Sequence, residues 1–224
     1  MLSKRSYDDG CAAAHALDLI GERWALLVVR ELMLSPKRFN DLRADLPQIS
    51  PNVLSQRLKD LETYGIVRKT PLPPPVKAQV YELTPWGKDL EPVLVHLGRW
   101  AVHSPFKPDA QLSLTSLILS FRTMFKADEA EGLEATYSFK LDDYSFVAHV
   151  HHQSFEITLG DTSQADAYFE GNHDALAGLV YGDANLEEMI EADTVKLIGD
   201  KHAFKRFLTL FPLPDEAAQN DVSP

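Results

Sequence analysis

Asn52, Ser55, Gln56 and Lys59 follow one another at gaps of three, one and three residues. Two amides, a hydroxyl and an ammonium group on one surface suit a particular chemistry. Asn and Gln pair bidentately with adenine edges in the major groove, while Lys and Arg hold guanine or phosphate. Leu54, Leu58 and Leu61 stand at i, i+4 and i+7 on the opposite side, so the segment reads as an amphipathic helix. Ser50 is its expected N-cap and Pro51 its first residue, and a helix N-terminus itself favours phosphate. Arg57 lies on the flank of the polar face. Lys37 and Arg38 precede the segment; Lys69 and Lys77 flank a loop after it. The candidate DNA-contacting set is therefore Lys37, Arg38, Ser50, Asn52, Ser55, Gln56, Arg57, Lys59 and Lys77. Most polar helix faces are merely solvated, so the surrounding elements have to decide.

Those elements come in a telling order. Helical periodicity is expected over residues 12–20, ended by Gly21, and over 24–34, with Trp24, Leu27, Val28 and Leu32 on one side. Phe39, Leu42 and Leu46 mark a short third helix. The helix beginning at Ser50 runs to Tyr64 and stops at Gly65. Strand-like runs over 66–70 and 80–83 enclose a proline-rich loop, 71–79. Thr84-Pro85 then caps a long helix with Leu90, Val93, Leu94, Leu97 and Trp100 on one stripe. Three helices, a hairpin and a closing helix make a winged helix-turn-helix.

The strings that compose this order are Ile20-Gly21-Glu22-Arg23-Trp24-Ala25-Leu26-Leu27 after Cys11, Arg38-Phe39-Asn40-Asp41-Leu42, Ile49-Ser50-Pro51-Asn52-Val53-Leu54-Ser55-Gln56-Arg57-Leu58-Lys59-Asp60-Leu61-Glu62, Gly65-Ile66-Val67-Arg68 and Tyr81-Glu82-Leu83-Thr84-Pro85-Trp86-Gly87. In order and spacing, over about residues 8–102, they resemble the HxlR-type winged helix-turn-helix regulators of bacteria. The resemblance implies a homodimer, paired through the N- and C-terminal helices of this domain and bound to double-stranded DNA. The wing, Leu72-Pro73-Pro74-Pro75-Val76-Lys77-Ala78-Gln79, has more proline and fewer cations than that pattern. Cys11 occupies the place where some relatives carry a redox-sensing thiol. Read from its neighbours alone, Cys11 is expected to be a small buried side chain packed against residues 12–16, with Asp8 and Asp9 raising its pKa.

Charge divides the chain. Residues 1–107 hold 15 Lys and Arg against 12 Asp and Glu, whereas residues 108–224 hold 7 against 21, within a total of −11. Phosphate binding depends on local potential, so a basic first half can bind DNA beside an acidic second half. The expected division is a DNA-binding and dimerisation domain over 1–103, a linker over 104–109, a second domain over 110–212 and a disordered tail over 213–224. No apolar run is long enough to span a bilayer and the N-terminus lacks a signal core, so a cytoplasmic protein without membrane partners is expected. One cysteine excludes an internal disulfide and a cysteine-rich zinc site. Neither a nucleophile–base arrangement nor a glycine-rich phosphate loop stands out, so neither an enzyme nor a cofactor is expected. His149 and His151 share one face of a strand and His152 takes the other; with no cysteine to complete a site, they read as a solvent-facing strand rather than metal ligands.

The second half alternates. Leu114, Leu117, Ile118, Phe121 and Phe125 give a helix, and strands are expected over 136–141, 144–151, 154–159, 166–170 and 195–198. Helices over 173–181, 186–192 and 203–210 complete an α+β domain whose antiparallel sheet is covered by helices. The runs from Ala167 to Gly182 and from Val195 to Phe211 resemble the sterol-carrier-protein-2 fold, over about residues 109–212. That likeness implies an apolar small molecule held between sheet and helices, with Phe139, Phe146, Phe155 and Phe169 as candidate lining residues. Taken together, the expected function is a DNA-binding transcription regulator responsive to a hydrophobic effector. The competing expectation is a lipid carrier or scaffold whose winged helix pairs protein with protein.

Overall fold

Ser50 opens the helix on which the first half turns. Its backbone is extended, its Oγ accepts from Val53 N at 3.4 Å, and Pro51 follows as the first helical residue. The computed structural model describes residues 6–73, 78–105 and 111–215. The chain forms two compact units, Met1–Leu94 and Val95–Pro224.

In the first unit α1 (Ala12–Ile20), α2 (Ala25–Glu31) and α3 (Phe39–Asp45) precede α4 (Pro51–Thr63). Gly65, at φ 73°, lets the chain leave α4 through the left-handed region. β1 (Val67–Pro71) and β2 (Gln79–Leu83) pair antiparallel, Val67 opposite Leu83, as the wing. Lys37 adds a third short rung: its N–H donates to Tyr81 O at 3.0 Å and Tyr81 N–H donates back at 2.8 Å. Leu54, Leu58 and Leu61 of α4 are buried with Val28, Val29, Leu42, Leu46 and Ile49, so the helical period does orient the apolar stripe inward.

The long closing helix is in fact two. α5 (Pro85–Lys88) ends before α6 (Glu91–Ala101) begins. Pro92 has no N–H to offer and its ring would strike the carbonyl of Lys88, so the helix stops and restarts with proline in its first turn. Thr84 Oγ1 caps α5 by accepting from Gly87 N at 3.0 Å and donates to Gly65 O at 2.7 Å. A side chain at Gly87 would collide with Ile66 O, so the close seat of α5 on the start of the wing requires glycine. The division between the units falls inside α6, earlier than the linker expected at 104–109, of which residues 106–109 lie outside the described residues.

The second unit contains α7 (Leu114–Met124), a 3-10 turn at Ala127–Ala130, β3 (Ala135–Leu141), β4 (Tyr144–His151), β5 (Ser154–Leu159), β6 (Ala167–Gly171), α8 (His173–Tyr181), α9 (Leu186–Glu191), β7 (Lys196–Gly199) and α10 (Lys201–Leu208). The sheet order is β5-β4-β3-β6-β7. It corrects the expectation of an antiparallel sheet: β3 and β6 run parallel, with Tyr137 opposite Ala167 and Phe139 opposite Phe169. The chain from β5 at one edge crosses to the far side of β3 and lays down β6 in the same direction as β5 and β3, as a crossover does and a hairpin does not. Tyr137, Phe139, Phe146, Ile157 and Phe169 share the sheet face that meets Leu117, Phe121, Phe204, Phe207 and Phe211, all buried. No helix among the described residues is long and apolar enough to cross a membrane.

Candidate nucleic-acid interface

α4 presents Asn52, Ser55, Gln56 and Lys59 to solvent along one face, opposite Leu54, Leu58 and Leu61, which are at most 1% exposed. The residues are arranged by a carboxylate one turn along. Asp60 accepts from Gln56 Nε2 at 2.7 Å and from Arg57 Nη1 at 2.7 Å. With one amide hydrogen on Asp60, Gln56 keeps its second Nε2 hydrogen and its Oε1 for a base edge. Ser50 is exposed, but its hydroxyl is engaged as the cap of α4.

Two cations expected at the interface are used elsewhere. Lys37 is 7% exposed, and its ammonium lies 2.6 Å from Asp45 and 3.2 Å from the fully buried Glu31, which also accepts from Arg30. A buried carboxylate needs such partners, because desolvating it alone costs several kcal/mol. Lys37 therefore joins α2, α3 and the wing and is corrected from a DNA contact to an internal cation. Arg57 turns away from the polar face: its side chain is 16% exposed and its Nη2 donates to Glu22 Oε2 at 3.2 Å, tying α4 to the turn between α1 and α2. Arg57 positions the helix through these bonds. Arg38 is exposed at the start of α3, with its N–H donating to Asp41 Oδ2 at 3.0 Å. On the wing, Lys69 lies over the Tyr81 ring at 5.6 Å. Arg68 and the Thr70 hydroxyl both donate to Glu82, holding its carboxyl below the usual range, the Thr70 bond foremost. Lys77 lies outside the described residues.

Cys11 overturns the buried reading. It is the exposed N-cap of α1, and the backbone N–H groups of Ala14 and then Ala13 lower its thiol pKa, against the rise expected from Asp8 and Asp9. Asp9 accepts instead from Cys11 N at 2.8 Å. The sign comes from which backbone groups meet the sulfur, and counting nearby acidic residues does not reveal it.

In the second unit the candidate pocket residues split. Phe139 and Phe169 are fully buried and stacked into a ring cluster with Phe204 and Phe207, at centroid separations of 5.0 to 6.4 Å. Phe146 is equally buried. These three side chains pack within the core of the unit. Phe155, the fourth, is only half-buried and stacks on Phe125 at 5.4 Å. The sequence reading missed the Glu31–Lys37–Asp45 and Glu22–Arg57–Asp60 networks. The one available signal was the pair Arg30-Glu31 interrupting the apolar stretch from Ala25 to Leu34.

Two family models match parts of the chain. Residues 19–106 match the HxlR-like helix-turn-helix model, and residues 109–217 match the alkyl sulfatase C-terminal model. The uncharacterized HTH-type transcriptional regulator YvaP of Bacillus subtilis is 41% identical over 87 residues, covering 38% of this chain and 80% of YvaP. The HTH-type transcriptional regulator YodB of the same organism is also 41% identical over 87 residues, covering 38% and 77%. The inverting sec-alkylsulfatase Pisa1 from Pseudomonas sp. aligns at 20% identity and a TM-score of 0.39, covering 46% of this chain but 16% of that enzyme.

Proposed function

The chain belongs to the HxlR-like helix-turn-helix family, and on that premise we propose that it is a homodimeric, sequence-specific DNA-binding transcription regulator that reads its operator with α4. The observation that carries this reading is the exposed row Asn52, Ser55, Gln56 and Lys59 on a helix whose other face is anchored by three buried leucines. Amides near the N-terminal end supply base readout, and Lys59, with Arg38 and Lys69 flanking, supplies phosphate contacts. Pairing of two copies is supported by apolar side chains left in water: Leu17 on α1, and Val93, Leu97 and Trp100 at successive turns of α6, the last 76% exposed. A dimer sets two α4 helices about one DNA turn apart, near 34 Å.

The second unit then serves as a sensor for an apolar small molecule, with a sterol-carrier-protein-2-like arrangement of sheet and helices. Its site is drawn to the edge where Phe125 and Phe155 stack, because the rings deeper in are already packed on one another. Such a ligand alters DNA binding only if it binds the free and DNA-bound forms with different affinity.

The test is selection of bound sequences from random DNA by the full chain, followed by titration of the selected site with wild type and Gln56→Ala. The variant should lose about 1–3 kcal/mol and relax preference at one position of each half-site. Unchanged affinity and unchanged base preference would remove α4 from the readout.

A further inference from the structure

A second constellation lies far from α4 in sequence. Glu134 precedes β3, and the register Ala135 opposite Val150 brings it beside His151, the last residue of β4. His152 does not continue the strand to the other face, as simple alternation would have it. It enters the left-handed region at φ 48°, followed by Gln153 at φ 58°, in the tight turn to β5. That turn folds the His152 ring onto His151, with centroids 3.8 Å apart. Both Nδ1 atoms now face the same carboxylate. His151 Nδ1 meets Glu134 Oε2, His152 Nδ1 is 3.4 Å from Oε1, and His152 N–H donates to Oε1 at 2.9 Å. One ligand atom from each of the three side chains falls within 4.8 Å of the others.

We propose that Glu134, His151 and His152 form a surface site for a divalent transition-metal ion of the Zn2+ class. Two imidazole nitrogens and one carboxylate oxygen are a donor set that Zn2+, Ni2+ and Cu2+ prefer and that Ca2+ and Mg2+, which take oxygen, do not. Three ligands leave a fourth, tetrahedral position for water or for a group from another molecule. All three side chains are more than half exposed, so an ion reaches them without opening the fold. The strongly acidic half of the chain raises the local concentration of cations around them. His149, also on β4, is a separate group, bonded to Thr136 Oγ1 at 3.1 Å. The bound ion ties the start of β3 to the β4–β5 turn.

The test is calorimetric titration of the tag-free, chelator-stripped full chain with ZnCl2, with CaCl2 as the control ion. Zn2+ should bind at one site per chain and raise the melting temperature, while Ca2+ produces neither effect. His151→Ala, Glu134→Gln and His152→Asn should each weaken Zn2+ by at least about tenfold, the least that losing even a supporting partner costs. Asn suits position 152 because it tolerates a positive φ, so the turn survives in that variant. His149→Ala should leave the affinity unchanged. No saturable Zn2+ binding in the wild type, or binding equally strong in His151→Ala and Glu134→Gln, would overturn the proposal. So would a loss in His149→Ala as large as in His151→Ala.

Discussion

The two units solve burial differently. The core of the first is aliphatic: among the described residues, every buried apolar side chain from Ile20 to Leu94 is Ala, Val, Leu or Ile. The second closes around rings, with Phe121, Tyr137, Phe139, Phe146, Phe169, Phe204, Phe207 and Phe211 all at most 1% exposed. The first unit carries more of the cations and buries charge, with Glu31 held by Arg30 and Lys37. The second carries most of the acidic residues, and Tyr137 and Tyr181 bring hydroxyls inside. Burial drives the Tyr137 pKa up and that of Tyr181 up to about 12. Each hydroxyl has a partner, Tyr137 donating to Ala203 O at 3.0 Å and Tyr181 pairing with Ser120 at 2.8 Å. The aliphatic core holds α4 by Leu54, Leu58 and Leu61 and leaves its opposite, polar face exposed. Aromatic filling uses the side chains that would otherwise line a cavity.

Substitution can break that contrast, most severely at the ring cluster. Phe207 touches Phe121, Tyr137, Phe139 and Phe211, so Phe207→Ala should cost about 3–5 kcal/mol by chemical denaturation. The same substitution should leave DNA binding by the first unit intact where the chain stays folded. Lys37→Met tests the buried charge. Removing one partner of a buried pair costs about 3–5 kcal/mol, and the lower end is expected because Arg30 still holds Glu31. A Lys37 that contacted DNA would instead show its loss in affinity at constant stability. Lys59→Ala should be milder, lowering the salt slope of operator binding by about 1 without changing base preference. The smallest effect concerns Cys11. With its pKa lowered in the folded chain, the thiolate persists to lower pH than in the unfolded chain. Alkylation by iodoacetamide should therefore start at lower pH in the native protein than in urea. Equal onsets would mean that the N-terminus of α1 does nothing to the sulfur.

Much of this was legible from local pattern. Leu54, Leu58 and Leu61 announced the inner face of α4, Ser50-Pro51 its start and Gly65 its end, because each signal acts within one or two helical turns. The break between α5 and α6 was legible too, in Pro92, although the apolar stripe running through it masked the interruption. Lys37 and Arg57 were different. Nothing in their neighbours distinguishes them from Arg38 and Lys59, and their roles appear only when Glu31, Asp45 and Glu22 come within reach.

Residue type and period thus determined the helices, the wing, most strands, the polar face of α4 and the split of charge between the two halves. The tertiary structure alone decided which cations face inward, that β6 lies parallel beside β3, that Phe139 and Phe169 pack against α10, and that Glu134 meets two histidines 17 and 18 residues away. Periodicity records which side of an element avoids water. The identity of the group across the gap depends on chain closure over long separations, and a local pattern carries no record of that.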